Sequence, residues 1–131
     1  MTWEEEIREI LPVAHRYGVD PQFIAAIRKA ENGRPGREFG VLSIPAPTYN
    51  DQLIACVKTI RKYIRDYPRN PFVFTKNLEQ ELRLIYSPEF IAYAGSRYAP
   101  VKASNDPDGL NNNWVKNVMK YYSLYSKEIW S

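Results

Sequence analysis

The chain has one cysteine and one histidine among its 131 residues, and each scarcity removes a class of chemistry. Cys56 has no partner for an internal disulfide, and its setting among Leu53, Ile54, Ala55 and Val57 reads as the inner face of a helix, so a buried, inert thiol is expected. His15 alone cannot build a multi-histidine metal site and reads as a partly exposed helix residue. No metal and no other cofactor is expected. No apolar run approaches the length of a membrane span, and the start Thr2-Trp3-Glu4-Glu5-Glu6 is acidic, the reverse of a signal peptide. The net charge of +3 favours any polyanion but is too small to choose among them. No internal repeat, low-complexity tract or linker divides the chain, and its length suits one domain over residues 1–131 with a single core.

Strand patterns are also nearly missing, whereas helical periodicity with start and stop signals recurs about six times. Trp3 to Tyr17 reads as a first helix: Thr2 and Glu5 form a capping-box pattern, Trp3, Ile7, Ile10, Leu11 and Ala14 make the apolar stripe, and Gly18 ends it. Asp20-Pro21 opens the second, with a capping side chain followed by proline at the first helical position. A third starts from Asn50 or Asp51 and runs to about Tyr67, with Leu53, Ile54, Val57, Ile60, Tyr63 and Ile64 inside and Lys58, Arg61, Lys62 and Arg65 mostly outside. Phe72-Val73-Phe74 packs on the return, and Asn77 to Tyr86 makes a fourth helix on Leu78, Leu82 and Ile85. Ser87-Pro88 starts a short fifth helix carrying Ile91, Ala92 and Tyr93. After a turn at Asp106 to Gly109, Asn112 or Asn113 leads a final helix bearing Trp114, Val118, Met119, Tyr122 and Tyr125. The fold class is mainly α.

The second helix matters most, because it delivers a carboxylate to an unfavourable place. Phe23, Ile24, Ile27 and Ala30 share one face, Glu31 lies at its edge one turn beyond Ile27, and Arg28 and Lys29 point toward solvent. The negative end of the helix dipole and the apolar neighbours both disfavour the ionised form, so a raised pKa is expected. A carboxyl group kept protonated near neutral pH is suited to general acid catalysis. Asn32-Gly33 then stops the helix, with Gly33 read as the left-handed residue, and Pro35 and Gly36 make a tight loop. The chain returns at Phe39-Gly40-Val41-Leu42, and Pro45 and Pro47 forbid a continuing helix. Helix, acid and returning loop together suggest one wall of a cleft.

The segment from Glu31 to Thr48 resembles the catalytic segment of the lysozyme-like superfamily, above all the soluble lytic transglycosylases and goose-type lysozymes, in which Glu-Ser-Gly is followed by Gly-Leu-Met-Gln-Ile-Met-Pro-x-Thr. Here Glu31-Asn32-Gly33 stands in the first place and Gly40-Val41-Leu42-Ser43-Ile44-Pro45-Ala46-Pro47-Thr48 in the second. The loop between them is a few residues shorter, and Ser43 replaces the glutamine. Farther on, Arg97-Tyr98-Ala99-Pro100, Asn105-Asp106-Pro107 and Asn113-Trp114 resemble the closing part of phage-borne glucosaminidase or transglycosylase domains. Ala92-Tyr93-Ala94 also parallels the Ala-Tyr-Asn motif of the transglycosylases, whose tyrosine faces the acid.

This resemblance implies a lysozyme-like domain with an active-site cleft that cuts the β-1,4-linked amino-sugar strands of peptidoglycan. It implies Glu31 as catalytic acid, Gly40 as the close-approach glycine, Ser43 as a polar substrate-binding residue, and Tyr93 or Tyr98 as the tyrosine facing the acid. Asn105 and Asn111 to Asn113 could donate to N-acetyl groups, although asparagines in turns normally cap backbone. An inverting hydrolase needs a second carboxylate about 6.5 to 9.5 Å away and a retaining one about 5 to 5.5 Å. Glu38, Asp51, Asp106 and Asp108 are available and none is singled out; the transglycosylases, by resemblance, manage with one acid. With no leader in the sequence, such an enzyme would be made in the cytoplasm and reach the bacterial wall as a phage endolysin or in a virion, as a monomer or part of that particle. Two other readings stand beside it: a non-catalytic wall-binding or virion structural module, and a basic helical nucleic-acid-binding domain using the third helix.

Overall fold

The computed structural model describes residues 1–41, 45–67, 86–98 and 112–130. Among these, all regular structure is helical: α1 is Trp3–Arg16, α2 Pro21–Glu31, α3 Tyr49–Asp66, α4 Pro88–Tyr98 and α5 Asn112–Trp130. The expected fourth helix over Asn77 to Tyr86, apart from Tyr86 itself, lies outside the described residues, as do the Phe72-Val73-Phe74 segment and the turn at Asp106 to Gly109.

The first four described helices begin where a side chain takes an orphan amide. The Glu5 amide donates to Thr2 Oγ1 at 3.2 Å and the Gln22 amide to Asp20 Oδ1 at 2.9 Å. The Phe90 amide donates to Ser87 Oγ at 3.3 Å. For α3 the cap is Thr48, whose Oγ1 accepts from the Asp51 amide at 3.0 Å, and not Asn50 or Asp51. Proline at 47 ends the extended stretch, so the first threonine after it is free to cap.

The core is built around α2. Pro21 to Ile27 are all buried, so this helix has no solvent face along its first two turns. It packs chiefly along α5, with α1 on another side, while α3 lies against α1 and α4 against α5. Phe23 is the aromatic hub, its ring 5.1 Å from Tyr86, 5.9 Å from Tyr122 and 6.0 Å from Phe90. Burial of each such side chain contributes roughly 1.5–3 kcal/mol. The start of α2 is pinned as well: the Asp20 amide donates to the Tyr86 hydroxyl at 3.0 Å, and the Tyr122 hydroxyl donates to Asp20 Oδ2 at 2.6 Å.

Most of the expected inner residues are inside, including Ile10, Ala14, Leu53, Val57, Ile60, Ile64, Trp114 and Val118, whereas Leu11 is 38% exposed. Its position at the stripe's margin carries it past the contact with α2. Cys56 is buried and burial pushes its thiol up to about 12, the inert setting expected. His15 is exposed, as are Lys58, Arg61, Lys62 and Arg65. Arg28 does not point to solvent. Its Nε donates to Glu6 Oε1 of α1 at 2.6 Å, and Lys29 lies over the Trp3 ring at 4.4 Å. The polar side of α2 is covered by α1, so its cations find partners there rather than water. No described helix is long and apolar enough to cross a membrane.

Candidate active site

Glu31 is the last residue of α2. The helix stops because Asn32 turns left-handed, with φ 46° and ψ 40°, a conformation asparagine tolerates better than other side chains. Gly33 therefore is not the left-handed residue. Its own requirement is steric: a Cβ at that position would lie 1.7 Å from the Arg37 carbonyl oxygen.

The chain that follows is held down at several points. Arg28 Nη1 donates to the Gly33 and Glu38 carbonyls at 3.4 and 3.3 Å, tying the loop to the Arg28–Glu6 pair. Glu38 is buried and its Oε1 accepts from the Gly36 amide at 2.9 Å. Gln52, one turn into α3 and almost fully enclosed, accepts from the Phe39 and Val41 amides, each at 3.2 Å. Its Nε2 donates to the Val41 carbonyl at 2.9 Å and to the Ala46 carbonyl at 3.0 Å. The Tyr98 hydroxyl donates to the Phe39 carbonyl. These bonds place Gly40, at φ +71°, against the acid: a Cβ there would lie 2.4 Å from Glu31 Oε2. Only glycine combines that left-handed backbone with that approach.

On its other side Glu31 meets α5. The Trp114 indole N–H donates to Glu31 Oε1 at 2.8 Å. Trp114 in turn packs on Tyr98, ring centroids 5.4 Å apart, and on Gly95, where a Cβ would lie 3.0 Å from the indole. Burial pushes the Glu31 carboxyl up to about 6, opposed by the Trp114 bond, which favours the anion. The Cys56 thiol and the Tyr98 hydroxyl adjoin each other beneath it, and burial drives both well above their ordinary values. Around neutral pH both are uncharged, so Glu31 titrates without a charged neighbour from α3 or α4. A mostly buried, partly exposed carboxyl of this kind can give up a proton and take it back.

Of the sequence candidates, Glu31, Gly40 and Tyr98 come together. Tyr93 stands in a different cluster, its ring 5.0 Å from Tyr67, 6.3 Å from Phe90 and 6.5 Å from Tyr63, with the Arg97 guanidinium 3.8 Å over it. Ser43 and Asn105 lie outside the described residues, as do Asp106 and Asp108. The other two carboxylates offered as a second acid are engaged or remote from this role: Glu38 is spent on the Gly36 amide, and Asp51 is an exposed first-turn residue of α3. Among the described residues no three His, Cys, Asp or Glu side chains gather as a metal set would.

Two participants escaped the sequence reading. Gln52 was legible in principle, since it is the one long polar side chain on an otherwise apolar inner stripe, and a buried amide must find partners. Trp114 reads from the sequence as a helix-core residue and as part of the Asn-Trp motif, with no role at the acid, although a buried indole N–H also requires an acceptor. Compared with known proteins, the chain matches no family model, no curated protein and no solved structure.

Proposed function

We propose that this chain is a lysozyme-like enzyme that cleaves the glycan strands of peptidoglycan, with Glu31 as general acid and then base. The observation that carries the reading is a partly exposed carboxyl at the end of the central helix, raised to about 6 by burial and approached on one side by a glycine without a side chain. Protonated Glu31 gives its proton to the leaving glycosidic oxygen as the C–O bond breaks, supporting an oxocarbenium-like transition state. The resulting carboxylate then takes the proton of the attacking hydroxyl. With Glu38 and Asp51, the two candidates among the described residues, otherwise placed, the reading favours attack by the sugar's own hydroxyl, which yields an anhydro-muramyl end and needs one acid only. Tyr98 contributes by holding the Phe39 carbonyl, and thus Gly40, in place. The substrate is the β-1,4-linked N-acetylmuramic acid and N-acetylglucosamine polymer, met across a cleft between the Glu31 loop and α5, in the wall that a phage enzyme would open.

The test is mass analysis of soluble fragments from purified peptidoglycan treated with the wild type and with Glu31→Gln. Anhydro-muramyl ends that vanish in the variant are the expected result; reducing ends would mean a hydrolase with a second acid. The Trp114 bond would equally suit a purely structural acid, which keeps one other reading in play: a wall-binding or virion module without activity. Tight wall retention with no fragments from several wall types would establish that alternative.

A further inference from the structure

Glu31 has two chemically different oxygens. Oε1 faces an indole N–H, a group that can donate and never accept. Oε2 is the oxygen nearer Gly40, where a Cβ would lie 2.4 Å from it and 3.0 Å from Oε1. A carboxylic acid has one oxygen that carries the hydrogen and one that only accepts. With a donor held in front of Oε1, the proton is favoured on Oε2, because a carbonyl oxygen accepts more strongly than a carboxyl hydroxyl.

We propose that Trp114 is the positioning residue of the acid: its indole N–H fixes the carboxyl plane and directs the transferable proton to Oε2, the oxygen nearer Gly40. The indole cannot easily turn away, because its ring is held between Tyr98 and the bare backbone of Gly95. The same bond favours the anion, so it offsets part of the effect of burial and keeps the acid able to lose its proton near neutrality. Among the described residues, the other titratable groups that interact with Glu31 are Cys56 from α3 and Tyr98 from α4. Both stay neutral through the range in which Glu31 titrates, and Glu38 faces Gly36 instead.

This inference rests on Glu31 being the working acid, but its test does not require turnover. In the wild type, the Glu31 Cδ resonance and the Trp114 Nε1–H resonance should titrate together with one midpoint at about 6, while the indole of Trp3 does not follow. Trp114→Phe keeps an aromatic ring at this position and removes the donor. Loss of a hydrogen bond to a charged group should move the Glu31 midpoint up by about one pH unit. The alkaline limb of cleavage should move by the same amount, a displacement that a merely structural contact would not produce. An indole signal that stays flat through the Glu31 inflection, or a midpoint unchanged in Trp114→Phe, overturns the proposal. Should the variant not fold, the wild-type indole titration decides alone. A wild type that releases no wall fragments would sink the enzymatic reading whatever the resonances do, and an active wild type with a flat indole would sink only the role of Trp114.

Discussion

Gly40 Cα rests against the carboxyl of Glu31, so close that a side chain there would place its first carbon 2.4 Å from Oε2 and 2.5 Å from Cδ. The two residues are separated by a loop whose backbone is held by Arg28, Gln52 and Tyr98, so the approach is imposed by the fold and not by the two residues alone. Gly40→Ala should therefore remove activity more completely than stability. The left-handed backbone costs an alanine roughly 1–2 kcal/mol, while the clash falls on the far end of a flexible side chain, which can swing aside. The displaced acid is the larger loss. Cleavage assays paired with thermal unfolding separate the two effects, and a fully active alanine variant would contradict the close approach.

Glu31 also makes stability depend on pH. Its folded pKa of about 6 exceeds the ordinary 4.5, so between these values the native state binds more protons than the unfolded state, and stability falls as pH rises through that window. Below it the carboxyl is neutral in both states and there is no penalty. Above it the cost reaches about 2 kcal/mol. Glu31→Gln, which keeps an oxygen for the Trp114 indole, should match the wild type near pH 4 and exceed it near pH 8 by an amount of that order. Urea midpoints of both proteins across this range provide the check; a gap that does not widen with pH would mean the carboxyl is not held neutral by burial.

Gln52 ties α3 to the loop that carries Gly40 through four hydrogen bonds, to the Phe39 and Val41 amides and to the Val41 and Ala46 carbonyls. Gln52→Leu fills the volume but leaves those backbone groups without partners, several of them enclosed. The expected cost is roughly 2–4 kcal/mol, with loss of cleavage. Hydrogen exchange should locate the damage: the Phe39 and Val41 amides lose protection while those at the centre of α2 keep it. Unchanged exchange at Phe39 and Val41 would show that the loop is held by other contacts.

Much of the helical framework could be read from local chemistry. Thr2, Asp20-Pro21 and Ser87-Pro88 announce helix starts because a short polar side chain and an extended backbone satisfy orphan amides wherever they occur. Thr48 was overlooked in favour of Asn50 and Asp51 since all three are good caps and only backbone geometry chooses among neighbours. Asn32 and Gly33 posed the same ambiguity, resolved when the Arg37 carbonyl closed over Gly33 and left the turn to Asn32. The solvent reading of Arg28 failed for a different reason: a helical wheel shows which side is polar but not what packs there.

The acid itself belonged to the legible part. Its place at the end of an apolar helix and its raised pKa follow from periodicity and helix termination, which act over a few residues, whereas the glycine that returns to it was implied only by the resemblance to the lysozyme-like segment. By itself the sequence determined a mainly helical chain with a poorly solvated carboxyl at the end of its second helix. Only the tertiary structure decided that the acid's partner is Trp114, that Tyr98 and not Tyr93 stands beside it, and that Gln52 holds the loop in register. Those choices join residues as many as 83 positions apart. They depend on which helix faces cross and at what depth, a matter of packing among all the side chains at once.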